Sequence, residues 1–175
     1  MRSPRRRARE FALQGLYQWQ LSGNSAAEIA RNLAELEGYG AADGAFLAAE
    51  LAGVIGEAEG LQALLEPLAD RKWAEVSPVE KSILLIGAWE IAHVPEMPYR
   101  VAINEAIELA KRFGGIDGHK YVNGILDRVA AAVRPEEVAA GRTAERKPRQ
   151  ASTGRTRAAP SKMAEARSRN PPSST

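Results

Sequence analysis

Apolar residues recur along this chain at spacings of three and four, and nowhere do they alternate with period two over the length of a strand. The dominant residues, Ala, Leu and Glu, are good helix formers. The pattern therefore predicts an all-α protein. A first helix is expected from Ser3-Pro4 to Leu21, with Ala8, Ala12, Leu16 and Trp19 on one stripe. After the break at "SGNS", Ser25 and Glu28 form a capping box for a second helix reaching Leu36. Helical pattern resumes from Asp43 to Asp70, with a break near Gly56 to Gly60.

Ser77-Pro78-Val79-Glu80 is a second capping box, with proline at the first helical position. The helix it opens, to about His93, is apolar on nearly every side through Val79, Ile83, Leu84, Leu85, Ile86, Trp89 and Ile91, so it belongs at the centre of the bundle. The prolines of "VPEMP" end it. Tyr99 to Phe113 follows, with Ile103, Ala106, Ile107, Ala110 and Phe113 at core spacing, and Gly114-Gly115 stops it. Asp117 is placed to cap a last helix that turns Val122, Ile125, Leu126 and Val129 inward. Asn104 and Asn123 sit inside these two helices, where asparagine is disfavoured, and are expected to tie elements together by hydrogen bonds. The "EGYGAADG" loop superficially matches a dinucleotide fingerprint, but a helix precedes it and no strand does.

From Pro135 the apolar face disappears and Arg, Ala, Ser, Pro and Thr take over. The expected organisation is one helical domain over residues 1–134 and a disordered Arg/Pro/Ser-rich tail over 135–175. A hydrophobic content of 45% suffices for a real core in a domain of that size.

The absence of cysteine rules out a disulfide framework and a thiolate metal site, and it fits a reducing, cytoplasmic setting. His93 and His119 match no metal-ligand spacing, so no metal is expected. The longest apolar run, Ile83 to Trp89, is far short of the ~18 residues of a membrane span. No nucleophile stands beside a base and no phosphate loop is present, so neither an enzyme nor a cofactor is expected; the chain reads as a binding module.

Charge changes the picture further. Met1 to Leu21 sets five arginines against Glu10, whereas Ser22 to Asp70 sets nine acids against Arg31. The basic sections are candidates for a polyanion. Arg5, Arg6 and Arg7, with Arg2 and Arg9, form the densest cluster, and a guanidinium fork bonds phosphate oxygens bidentately. His119 and Lys120 fall in the first turn of the last helix, where a cation opposes the helix dipole. A phosphate there would use the dipole, the free backbone N–H groups and Lys120 together. Tyr121 either packs against the bundle or offers a face to an unstacked base. Of Tyr17 and Trp19, two apart on the first helix, one is core and the other exposed, which makes Tyr17 a possible contact residue.

Three blocks carry a resemblance: "RRRAREFALQGLYQWQLS", "SPVEKSILLIGAWEI" and "PYRVAINEAIELAKRFGGIDGHKYVNGILDRV". Together, over about Arg5 to Arg134, the chain resembles the bacterial transcription antitermination factors of the NusB family. The resemblance implies a bundle of about seven helices in two packed sub-bundles. It implies a partnership with NusE, the ribosomal protein that also serves in antitermination, binding of boxA RNA in nascent transcripts, and work beside RNA polymerase with other Nus factors. By the same resemblance Arg5, Arg6, Arg7, Asp117, Lys120 and Tyr121 match RNA-binding positions, with His119 among them in the sequence, and Tyr17 and Glu80 match positions of the NusE surface. Gly118 departs from the family, where a polar residue is common, which predicts a looser helix start. A homodimer is a further expected state. RNA cytosine methyltransferases also carry a domain of this kind, but a catalytic domain would need a long α/β region and a nucleophilic cysteine, which this sequence does not show.

Overall fold

The computed structural model describes residues 2–146, and these form eight α-helices with no strand among the described residues. They are α1 (Pro4–Ser22), α2 (Ala26–Ala34), α3 (Gly44–Gly56), α4 (Ala58–Leu65), α5 (Pro78–His93), α6 (Tyr99–Phe113), α7 (Gly118–Val133) and α8 (Pro135–Arg146). Short 3-10 turns lie at Tyr39–Ala41, Glu66–Leu68 and Trp73–Glu75.

Local signals placed most helix ends correctly. The Ser3 hydroxyl accepts from the Arg6 N–H, with Pro4 in the first turn. Ser25 and Glu28 form the complete reciprocal box. The box at α5 is only half formed. Ser77 Oγ accepts from the Glu80 N–H at 3.2 Å, but the Glu80 carboxylate accepts from the Ser77 hydroxyl instead of its backbone N–H.

Helices α1 to α3 pack together as one sub-bundle, and α4, α6 and α7 gather around α5 as the other. Helix α5 touches both groups, because Ile83, Leu84, Ile86 and Ile91 are buried on all its sides. Two glycines permit the closest approaches. A Cβ on Gly53 of α3 would lie 2.4 Å from the Trp89 indole, and one on Gly87 would lie 2.5 Å from Leu126.

The centre is not purely apolar. Arg9 is 4% exposed and its Nε donates to Glu90 Oε1 at 2.6 Å, while Nη1 stands 3.6 Å from Glu105. The Arg9 guanidinium also lies over the Phe46 ring. Glu50 is wholly buried beside this pair. As a carboxylate neither of its oxygens would have a donor; as a carboxylic acid it donates to Glu90. Burial first, then the neighbouring Glu90 charge and that hydrogen bond, push its pKa well above the carboxylate range.

Four expectations need correction. Phe113 is exposed, and Leu109 takes the inward position on α6, because the helix ends just as its stripe turns to solvent. Asn104 and Asn123 make no side-chain hydrogen bond among the described residues; both line an open groove between α6, α7 and α8. The segment after Pro135 begins as helix α8, not as disordered chain. Val138 docks it into the core, and Glu137 accepts from the Tyr99 N–H at 3.0 Å, closing the bare N-terminus of α6. One apolar residue and two carboxylates, Glu137 and Glu145 (the latter accepting from Arg100), anchor this helix, too few to register as a periodic face. The rest of the expected tail, 147–175, lies outside the described residues. The fourth correction concerns Arg9, which belongs to the core and not to the surface cluster.

Candidate nucleic-acid interface

Successive residues on a helix point about 100° apart, so the arginine triplet fans out instead of acting as one patch. Arg5 turns toward α3, with Nε 3.6 Å from Asp43 and its guanidinium over the Phe46 ring. Arg6 turns toward α6 and grips Glu105 through both Nε and Nη2, at 3.0–3.2 Å. Arg7 reaches over the loop at Gly38 and forms no ion pair among the described residues.

The Arg6 side opens a groove of about 370 Å³ between α1 and α6. Its walls carry Arg2 of the N-terminal cluster together with Lys111 and Arg112, two residues the sequence did not single out for binding. Glu10 bridges two of them, accepting from Arg2 at 3.0 Å and from Arg112 at 2.7 Å. Each of these cations keeps roughly half of its side chain open. The signal of Lys111 and Arg112 was present as the "KRF" end of α6, where cations complement the dipole and therefore look merely structural.

From Arg112 the chain runs through Gly114–Asp117 into α7. Ile116, at the tip, is almost completely exposed. Asp117 stands at the N-cap position but does not cap. Its backbone is left-handed, with φ 62°, and its side chain accepts no backbone N–H. The carboxylate instead pairs with Lys120 at 2.8 Å. This explains how a lysine is tolerated against the dipole: its countercharge sits three residues earlier, and the first backbone N–H groups of α7 stay free of a side-chain cap. His119 is half-buried in the same turn.

Tyr121 packs partly against the core, yet its ring is not simply internal. Its hydroxyl is buried without a partner, and burial raises its pKa above the ordinary tyrosine value, so it stays neutral. One ring face carries the Arg71 guanidinium, centred 3.9 Å from the ring centroid.

Tyr17 is 42% exposed on α1, and Trp19 is the one that packs inward. Glu80, expected on a partner surface, is buried. Its carboxyl lies under the start of α7, so close that a Cβ on Gly118 would stand 2.9 Å from Oε1. Gly118 is thus a point of close packing between α5 and α7, where a side chain would have to displace the Glu80 carboxyl. Among the described residues no group of three or more His, Cys, Asp or Glu could hold a metal ion, and no helix is long and apolar enough to cross a membrane. His93 pairs with Glu57 at 2.7 Å beside Trp89.

The helix order, the basic start of α1 and the Lys120-Tyr121 turn coincide with a family match over residues 6–131, to the model described as NusB family. The chain belongs to the NusB family. It is 53% identical over 145 residues to the transcription antitermination protein NusB of Dechloromonas aromatica (strain RCB), covering 83% of this chain and 89% of that one. It is 52% identical over 138 residues to the NusB protein of Thiobacillus denitrificans (strain ATCC 25259 / T1), covering 79% and 95%. Among solved structures, T. maritima NusB superposes with a TM-score of 0.69 at 26% identity, covering 79% of this chain and 99% of that one. A crystal structure of the antitermination factors NusB and NusE in complex with dsRNA shares the fold, with a TM-score of 0.64 at 20% identity, covering 73% and 96%. The family match spans α1 to most of α7, and the relatives align over a longer stretch of the chain than that match.

Proposed function

We propose that this chain is a non-enzymatic, cytoplasmic transcription antitermination factor that binds boxA RNA together with NusE, notably in ribosomal RNA leaders, and supports read-through by RNA polymerase with other Nus factors. The observation that carries the reading is the start of α7. There the exposed Lys120 and the Tyr121 ring follow one another at a helix start that no side chain caps, and the cationic end of α6 at Lys111 and Arg112 leads into it along the chain. Phosphates would be held by Arg5, Arg6 and Arg7, by Lys120 with His119 beside it, and by the α7 N-terminus. Asp117 sets the position of Lys120, and Tyr121 belongs to a stacking platform. Names of the relatives support the antitermination role, and NusE is the partner named beside a protein of this fold.

For NusE, Tyr17 is the direct contact, since it is exposed on α1. Glu80 serves that surface indirectly, by fixing the start of α5 and the seat of α7. The test is fluorescence anisotropy with labelled boxA-type RNA and a scrambled control, with and without NusE, at two salt concentrations. Tighter binding to boxA, strengthened by NusE, weakened by Tyr121→Ala and falling steeply with salt, is expected. Equal binding to both RNAs, indifferent to NusE and to Tyr121→Ala, would leave only a basic helical protein, with homodimerisation as the alternative to be checked by size-exclusion chromatography.

A further inference from the structure

The ring of Tyr121 is not bare. Arg71, in the connector between the turns Glu66–Leu68 and Trp73–Glu75, covers it with the guanidinium carbon 3.9 Å from the ring centroid, which is cation–π contact. Arg71 is not held there by a strong ion pair. Its nearest carboxylate, Asp70, stands 3.8 Å away and is itself 69% exposed, while 43% of the Arg71 side chain faces solvent. The Tyr121 hydroxyl end is buried, so the ring cannot tilt outward without moving α7. A base approaching this corner from solvent therefore meets the guanidinium before it meets the phenol.

We infer that Arg71 is an RNA-binding residue whose guanidinium forms the outer stacking layer for an unpaired base, with Tyr121 as the fixed layer beneath it. The inference rests on the RNA-binding reading above and assigns its base contact. A planar guanidinium stacks on bases as an aromatic ring does, and adds charge toward the neighbouring phosphate. Tyr121 then acts by positioning: it holds the Arg71 guanidinium in place over its ring. The opposite arrangement, in which Arg71 swings aside and the base takes its place on the ring, makes Arg71 a competitor of the RNA.

The two arrangements predict opposite signs. Full-length protein is titrated with boxA-type RNA carrying 2-aminopurine at successive unpaired positions, with scrambled RNA as control. Arg71→Ala is expected to weaken boxA binding by roughly tenfold and to abolish the 2-aminopurine quenching at one position. Arg71→Lys keeps the charge but lacks the plane, so it is expected to retain the wild-type salt dependence without recovering the quenching. Unchanged or tighter binding by Arg71→Ala, or full recovery by Arg71→Lys, overturns the inference. If the wild-type protein itself does not separate boxA from scrambled RNA, it is the underlying reading that fails.

Discussion

Arg9 donates to Glu90 across 2.6 Å with both side chains all but removed from solvent, so the last arginine of the N-terminal cluster is part of the core. Removing one member of a buried pair strands the other charge. Arg9→Ala is expected to cost about 3–5 kcal/mol in urea unfolding, and to lower RNA binding only in proportion to the unfolded fraction. A stable Arg9→Ala protein that has lost RNA affinity would return Arg9 to the binding surface.

Glu50 beside this pair makes stability depend on pH. The folded protein holds a proton on Glu50 that the unfolded chain releases above pH 4.5 or so, because burial and the Glu90 charge raise the folded pKa. The contribution is complete below the unfolded value and is lost as pH rises toward the folded one, by up to about tenfold in the unfolding constant per pH unit. Glu50→Gln, which can still donate to Glu90, is expected to flatten that slope and to stabilise the protein most at alkaline pH. Parallel pH profiles for the two proteins would show that Glu50 is not held protonated.

Gly53 marks where α3 meets the flat face of Trp89. In an exposed helix, alanine would gain about 1 kcal/mol over glycine. Here the ring carbons cannot yield as a flexible chain end would, and Gly53→Ala is expected to destabilise by about 1–3 kcal/mol with a shift in tryptophan emission. A rise in melting temperature would mean the helices separate readily at this point.

Arg134 clasps the end of α5 and the following turn, donating to the carbonyls of Ile91, Val94 and Met97 at 2.7–2.9 Å, and to Glu137 at 3.1 Å. Arg134→Ala removes those side-chain donors, leaving Val94 O only the Met97 N–H, and releases α8. The expected loss is about 2–3 kcal/mol, with faster amide exchange in α8 and at Tyr99. Exchange confined to α8 would limit Arg134 to that helix.

The Tyr121 hydroxyl is buried and unbonded. Tyr121→Phe removes a polar group that lost its water on folding, so its melting temperature should equal or exceed that of the parent. A clear drop would reveal a hydrogen bond to ordered water.

The helices were legible in the sequence because their signals are local. Ser3, Ser25 and Ser77 each sit beside the backbone N–H they cap, and the stripes of α1, α6 and α7 repeat within a few residues. The uniformly apolar "ILLIGAW" told of a central α5 for the same reason. Lys120 and Tyr121 stood out because a cation and a ring at a helix start run against the dipole, and that too is a neighbour effect.

What the tertiary structure alone decided involves partners far apart along the chain. A run of arginines looks the same whether its members face solvent or core; only the helix twist and the positions of Glu90, Glu105 and Asp43 sort Arg9, Arg6 and Arg5 into different surroundings. Glu80 shows its seat under Gly118 only when α7 folds back over α5. The Arg71 layer over Tyr121 joins residues fifty positions apart, and α8 holds through scattered long-range anchors at Val138, Glu137 and Glu145. Periodicity reports which face of a helix is apolar; it carries no information about which distant charge that face will meet.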